Sequence, residues 1–204
     1  DIDIDIEPKI SINNPKSVDC NDIAKAYDLL KKEKSMLFIG GRFLDEKCLK
    51  LASHIASVTN CRLVTDTFVP KIRRGAGLPI IEQVPYFAEM AELFLADTQS
   101  IVFIGSRPPV SFFAYPDKKS FLSPDSAELF KLCSNDDDGI SALNELKDLS
   151  GSTKIDEKFI QSYIGDVPTS GDLDATTLGP LLAGLMPEDS IVSDEATTSS
   201  LIVS

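Results

Sequence analysis

Three stretches of this sequence combine residue types that can meet a ligand. Glu195-Ala196-Thr197-Thr198-Ser199-Ser200 follows Ser190-Ile191-Val192-Ser193-Asp194, whose apolar centre reads as a strand. Beyond the carboxyl end of a parallel strand, hydroxyls and backbone amides can donate to diphosphate oxygens. The same residues also suit a strand-to-helix turn that uses Ser and Thr only for local hydrogen bonds, and spacing alone favours that plainer reading. Gly40-Gly41-Arg42 and Gly105-Ser106-Arg107 each close a continuous apolar run. Glycine there lets the backbone approach a ligand, or another segment, closely. Arg73-Arg74-Gly75-Ala76-Gly77 places two cations beside a lone GxG. A dinucleotide fingerprint lies between a strand and a helix. This GxG lies inside a loop, so it reads as a tight turn, with its arginines solvated or paired.

Other candidates are weaker. His54 is the sole histidine, and the cysteines Cys20, Cys48, Cys61 and Cys133 form no CxxC. A zinc site therefore lacks ligands at workable spacing, and His54 reads as a helix-flank residue. Phe112, Phe113, Tyr115 and Phe121 crowd one Pro-rich stretch. Two readings stay open: packing on a neighbouring domain or over a pocket, and a satellite core under a long loop.

The elements that must position these residues follow from hydrophobic periodicity. Helical spacing is expected from Asn21 (as N-cap) to Glu33, from Leu44 to Val58 with Leu44, Cys48, Leu51, Ile55 and Val58 on one face, from Pro85 to Leu95, and from a cap within Asp136-Asp137-Asp138 to Leu149. Met36–Ile39, Cys61–Thr65, Ser100–Ile104 and Glu128–Cys133 read as strands, and their unbroken apolar character suits a sheet buried on both faces. Alternation of strands and helices predicts an α/β fold, a Rossmann-like and mostly parallel sheet flanked by helices. Residues 66–84 and 106–127 are long connections. Gly151-Ser152-Thr153-Lys154 breaks the composition, a short helix is expected within 155–164, and a helix capped by Asp172 or Asp174 runs to Leu185. With the strand at 190–194, the last residues form a βα stub that cannot bury its own apolar face.

The 204 residues, 43% apolar and 25% charged, suffice for one sizeable core and a smaller unit. A net charge of -12 repels phosphate backbones and anionic lipids, so neither nucleic acid nor a membrane surface is an expected partner. No apolar run approaches the ~20 residues of a membrane span. The opening Asp-Ile alternation is unlike a signal peptide. A cytoplasmic location with reduced thiols is expected.

Two segments carry a family resemblance. Arg74-Gly75-Ala76-Gly77-Leu78-Pro79 through Pro85-Tyr86-Phe87, then Pro109-Val110-Ser111-Phe112-Phe113-Ala114-Tyr115-Pro116, is similar to the central domain of acetolactate-synthase-like members of the thiamine-diphosphate enzyme family. Pro187-Glu188-Asp189 through Ser200 resembles the entry to the pyrophosphate-binding domain there and in benzoylformate decarboxylases. The resemblance implies a linker or extended segment over 1–15, a central α/β domain over 16–150, a linker over 151–171, and a truncated start of the pyrophosphate-binding domain over 172–204. It also implies that Thr197 and Thr198 line a cofactor or substrate pocket, with Glu195, Ala196 and Ser199 beside them. This reverses the preference drawn from spacing.

The implied parent is a lyase or transferase that uses thiamine diphosphate and Mg²⁺ on a 2-oxo acid and assembles as a homodimer or homotetramer. The family's activating glutamate and its Gly-Asp-Gly…Asn metal motif fall outside this sequence. The piece by itself is therefore expected to be structural and inactive. Some relatives hold FAD at the loops corresponding to Gly40-Gly41-Arg42 and Gly105-Ser106-Arg107. Pro108-Pro109 departs from that pattern, so a structural role is expected for these loops rather than FAD. The alternative function is a free-standing Rossmann-like module binding FAD, NAD or ADP.

Overall fold

A computed structural model of the chain describes residues 14–113, 116, 119–162 and 167–194. Its centre is a five-stranded, wholly parallel sheet. The strands are β1 (Ser35–Ile39), β2 (Arg62–Thr65), β3 (Glu82–Gln83), β4 (Ser100–Ile104) and β5 (Glu128–Cys133), in spatial order β3-β2-β1-β4-β5. Residues of β1 and β4 are buried throughout, which explains their unbroken apolar runs. Alternation along each strand splits the core in two. Leu37, Ile39, Leu63, Val102 and Ile104 face α1 (Cys20–Leu30), α2 (Glu46–Thr59) and α4 (Gly139–Ser150). Met36, Phe38, Val64, Ile101 and Phe103 face α3 (Ala88–Leu95) and Leu122 of the 106–127 connection.

Helix ends follow capping chemistry. Asp19, not Asn21, caps α1: its carboxylate accepts from the Asn21 N–H at 2.7 Å. Of the three aspartates expected to cap α4, Asp138 does so, accepting from Ser141 N–H. The core face of α2 is rotated from the expected one. Ala52, Ala56 and Thr59 are buried, while Val58 is 49% exposed.

Three elements differ from the sequence reading. β3 is two polar residues, pairing Val64 with Glu82 and Thr65 with Gln83. Its anchor is a bidentate ion pair, Arg62 Nε and Nη2 donating to the two Glu82 carboxylate oxygens at 2.8 and 2.6 Å. The expected helix over 155–164 is, among the described residues, only a 3-10 turn at Glu157–Phe159. The backbone beyond it is already engaged, because Gly77 N–H donates to Gln161 O (2.9 Å), Gln161 N–H to Leu78 O (2.9 Å) and Ile80 N–H to Phe159 O (2.8 Å). The expected strand at 190–194 does not form. Among the described residues no neighbouring strand takes up its backbone groups, and Ile191 is 97% exposed. Of the expected βα stub, only α5 (Ala175–Leu185) forms among the described residues, capped by Asp174, and its described side chains are not buried.

Candidate functional site

The glycine motifs meet at the carboxyl edge of the sheet. β1 and β4 are adjacent, and the strand order reverses between them. In open α/β sheets this switch point is where ligands bind. Gly40 N–H donates to Ile104 O at 2.9 Å, and Gly105 N–H to Cys133 O at 3.0 Å. A Cβ on Gly40 would stand 2.7 Å from Asp66 Oδ2 and 2.9 Å from Ser106 Cβ. Asn135, after β5, accepts from Arg42 N–H at 3.2 Å and donates through Nδ2 to Gly105 O at 3.1 Å. The loops after β1, β2, β4 and β5 are thus tied into one ridge. The glycines permit close approach of protein to protein, the structural role expected of them.

Asp66 and Asn135 are participants that sequence reasoning missed. Neither belongs to a motif, and each meets its partner across a long stretch of chain. The Ser106 hydroxyl lies 2.8 and 2.7 Å from the two Asp66 oxygens. Burial pushes the Asp66 carboxyl above the usual Asp range, and the Ser106 hydrogen bond opposes that push. Folded Asp66 therefore keeps its proton to higher pH than unfolded Asp66. Stability falls as pH rises through that window and stays reduced above it. Asp66→Asn keeps an acceptor for Ser106. It is expected to raise the melting temperature at neutral pH by about 2–4 °C, an advantage that vanishes below about pH 3.5. Thermal melts across that range check it; a gain independent of pH would mean that the charge is not the cause.

The remaining candidates are engaged locally. Arg73 pairs with Glu46 (3.2 Å) and Asp189 (2.7 Å), and Arg74 donates to Gln83. Gly75 and Gly77 have φ of +136° and +81°, and Leu78 N–H closes on Gly75 O at 3.0 Å, a tight turn as read from the sequence. The Ser152 hydroxyl donates to Lys154 O, so it accepts from His54 Nδ1 at 3.0 Å. Burial and the Lys147 ammonium hold the His54 pKa down. No disulfide joins the four cysteines. Burial pushes the Cys48 thiol up to about 12 and the Cys61 and Cys133 thiols to about 11, so these three are inert at neutral pH. Phe112, Phe113 and Phe121 are exposed rather than packed in a satellite core. Phe112 and Phe113 join Phe68, Tyr86 and Phe87 in a cluster of touching rings.

No protein-family model matches the chain. Over 191 residues, 89% of its length, the chain is 32% identical to the acetolactate synthase large subunit-like protein IlvX of Mycobacterium tuberculosis. By this likeness the chain resembles acetolactate-synthase-type proteins. It spans 35% of that relative's length. Two solved structures share the fold. The thiamine diphosphate-dependent 4-hydroxybenzoylformate decarboxylase of Rhodococcus jostii RHA1 matches with a TM-score of 0.65 and 16% identity, over 95% of this chain and 39% of its own. The benzoylformate decarboxylase of Polynucleobacter necessarius matches with a TM-score of 0.63 and 12% identity, over 100% of this chain and 41% of its own.

The described residues end short of the expected cofactor positions. Glu195, Ala196, Thr197, Thr198 and Ser199, expected at the cofactor, lie outside those residues, as does Tyr115. Among the described residues no group of three His, Cys, Asp or Glu side chains is placed to hold a metal ion. They supply no ligand set for Mg²⁺. No helix among them is long and apolar enough to cross a membrane.

Proposed function

We propose that this chain is the central, non-catalytic α/β portion of a thiamine-diphosphate- and Mg²⁺-dependent enzyme that acts on 2-oxo acids as a lyase or transferase. The observation that carries the reading is the 32% identity running through 191 residues to an acetolactate synthase large subunit-like protein. When bound, thiamine diphosphate supplies the carbanion and electron sink for decarboxylation and carbon–carbon chemistry. The part given to residues 16–150 is mechanical: a ridge of interlocked loops on a doubly covered sheet, suited to holding catalytic domains in position. Residues 172–204 would open the pyrophosphate-binding domain, with Glu195, Ala196, Thr197, Thr198 and Ser199 at the cofactor. A cytoplasmic homodimer or homotetramer is the assembly proposed.

The test has two arms. Calorimetric titration of the chain with thiamine diphosphate and Mg²⁺ is expected to show no binding at ~1 mM (a Kd above it corresponds to under about 4 kcal/mol), with no CO₂ released from pyruvate or benzoylformate. The gene is expected to encode a longer polypeptide with a Gly-Asp-Gly…Asn motif after Ser204. Turnover by the chain alone, or a reading frame closing at Ser204, would overturn the proposal.

One observation favours a second reading, a nucleotide-binding module. Asp66 sits at the end of β2, where an acidic side chain meets the ribose in dinucleotide folds. Against it, the Ser106 hydroxyl already engages both Asp66 oxygens. Titration with FAD, NAD and ADP separates the two, and flat isotherms for all three remove the module reading.

A further inference from the structure

We propose that the furrow between α2 and α4, lined by Glu46, Lys47, Lys50, Leu51, His54 and Lys147, is a binding site for a small phosphate dianion. Its volume is about 440 Å³, within the range of small-ligand sites. Helical spacing builds it. Lys47, Lys50, Leu51 and His54 stand at i, i+3, i+4 and i+7 along α2, which is one stripe of that helix. Lys147 enters the same furrow from the last turn of α4.

Three ammonium groups therefore share the furrow with one carboxylate, in a chain whose net charge is -12. That carboxylate is already neutralised twice. Lys50 Nζ lies 2.5 Å from Glu46 Oε1, and Arg73, from outside the furrow, lies 3.2 Å from Glu46 Oε2. Lys147 reaches only its neighbour Asp148, at 3.5 Å, which is long for a charge-assisted hydrogen bond. Lys47 has no ion pair or hydrogen bond among the described residues. Clustered like charges repel, and an anion between them relieves the repulsion.

His54 adds a proton acceptor. Its Nδ1–H is spent on the Ser152 hydroxyl at 3.0 Å, because that hydroxyl donates to Lys154 O. The neutral ring is left with a lone pair on Nε2, which has no partner among the described residues. A hydrogen phosphate ion can donate its O–H to that nitrogen while its other oxygens accept from the lysines. Leu51 offers apolar surface to the carbon part of a phosphate ester. Long polyanions are repelled by the acidic surface around the furrow, which selects small ions. The lysines are partly exposed, and such pairs are individually weak, so a Kd of about 2–5 mM is expected. The site stands or falls separately from the thiamine-diphosphate reading.

His54 is the sole histidine, so the NMR signal of its ring Cε1–H reports on this furrow alone. The full chain is titrated with inorganic phosphate and with sulfate, a dianion that holds no proton in the neutral range. Both should shift the signal saturably by ~20 mM, and NaCl at equal ionic strength should not. The charged groups around the ring are Glu46, Lys47 and Lys50 of α2 and Lys147 of α4 with Asp148. Burial and the Lys147 ammonium hold the pKa of His54 down. Bound sulfate offsets that ammonium, so the His54 midpoint should rise by about 0.5, and sulfate should bind more tightly as pH falls through it. Lys47→Gln and Lys147→Gln should each weaken binding by about three-fold, with unchanged circular dichroism. Lys119→Gln, in the 106–127 connection, should leave binding intact. Failure to saturate, an equal response to NaCl, indifference to both furrow substitutions, a His54 midpoint unmoved by sulfate, or equal weakening by Lys119→Gln would each overturn the proposal. Vesicles of phosphatidic acid present the same group on a surface; co-sedimentation of the chain with them would overturn the assignment to a free ion.

Discussion

Gly105→Ala is expected to lower the stability of the chain by about 2–4 kcal/mol, the sum of a backbone and a packing cost. Gly105 closes β4 with φ at +67°, a conformation disfavoured for residues with a Cβ by about 1 kcal/mol. The added methyl would stand 2.5 Å from Phe43 Cδ2 and 2.6 Å from Gly40 O. Phe43 is 1% exposed, and Gly40 is held by its hydrogen bond to Ile104. Neither can withdraw without disturbing the ridge, and overpacking of this kind costs about 1–3 kcal/mol. Urea unfolding should show a lowered midpoint with little change in slope. An unchanged midpoint would mean that the ridge is soft and that the loops do not hold one another.

Phe43→Ala removes the plug beneath the same ridge. Its ring fits under Gly105 and against Gly139, where an added Cβ would stand 2.6 Å from Phe43 Cε1 and Cζ. It also lies 5.1 Å below the Arg42 guanidinium. Truncating a buried phenylalanine costs about 3–5 kcal/mol, through lost transfer energy and the cavity left behind, which here is a melting-temperature drop of roughly 10 °C. The two substitutions should be non-additive. With the ring gone, the methyl introduced by Gly105→Ala loses one of its two collisions, so the double variant should fall short of the sum by about 1 kcal/mol. Additive losses would show that Gly105 and Phe43 do not share the packing seen between them.

How much of the fold and site is legible in the sequence depends on how each feature is encoded. β1 and β4 are visible because burial on both faces demands an apolar residue at nearly every position. α4 is visible because a row of aspartates precedes a periodic run, and Asp138 is the one whose carboxylate reaches the helix amides. β3 is invisible, since Glu82 and Gln83 join the sheet through backbone pairing and through Arg62, twenty residues away from Glu82. The cap of α1 falls at Asp19, two residues before the expected Asn21, because Asp and Asn serve equally well in isolation. Helical spacing over 155–164 gives way to pairing with the 77–80 segment. The aromatics of the 106–127 stretch stand out in the sequence, but their contact with Phe68 and Tyr86 does not, since those rings come from other loops.

The sequence by itself determined the alternation of strands and helices, the doubly buried sheet and the likeness to thiamine-diphosphate enzymes, because local periodicity and short motifs carry that information. Only the tertiary structure decided what the glycine motifs do. By type and position, Gly40 and Gly105 are equally ready to approach a ligand or a neighbour. Folding brings Asp66, Ser106, Phe43 and Asn135 against them from separate places in the chain, and it is this convergence, which no local pattern encodes, that makes the edge of the sheet a locked ridge.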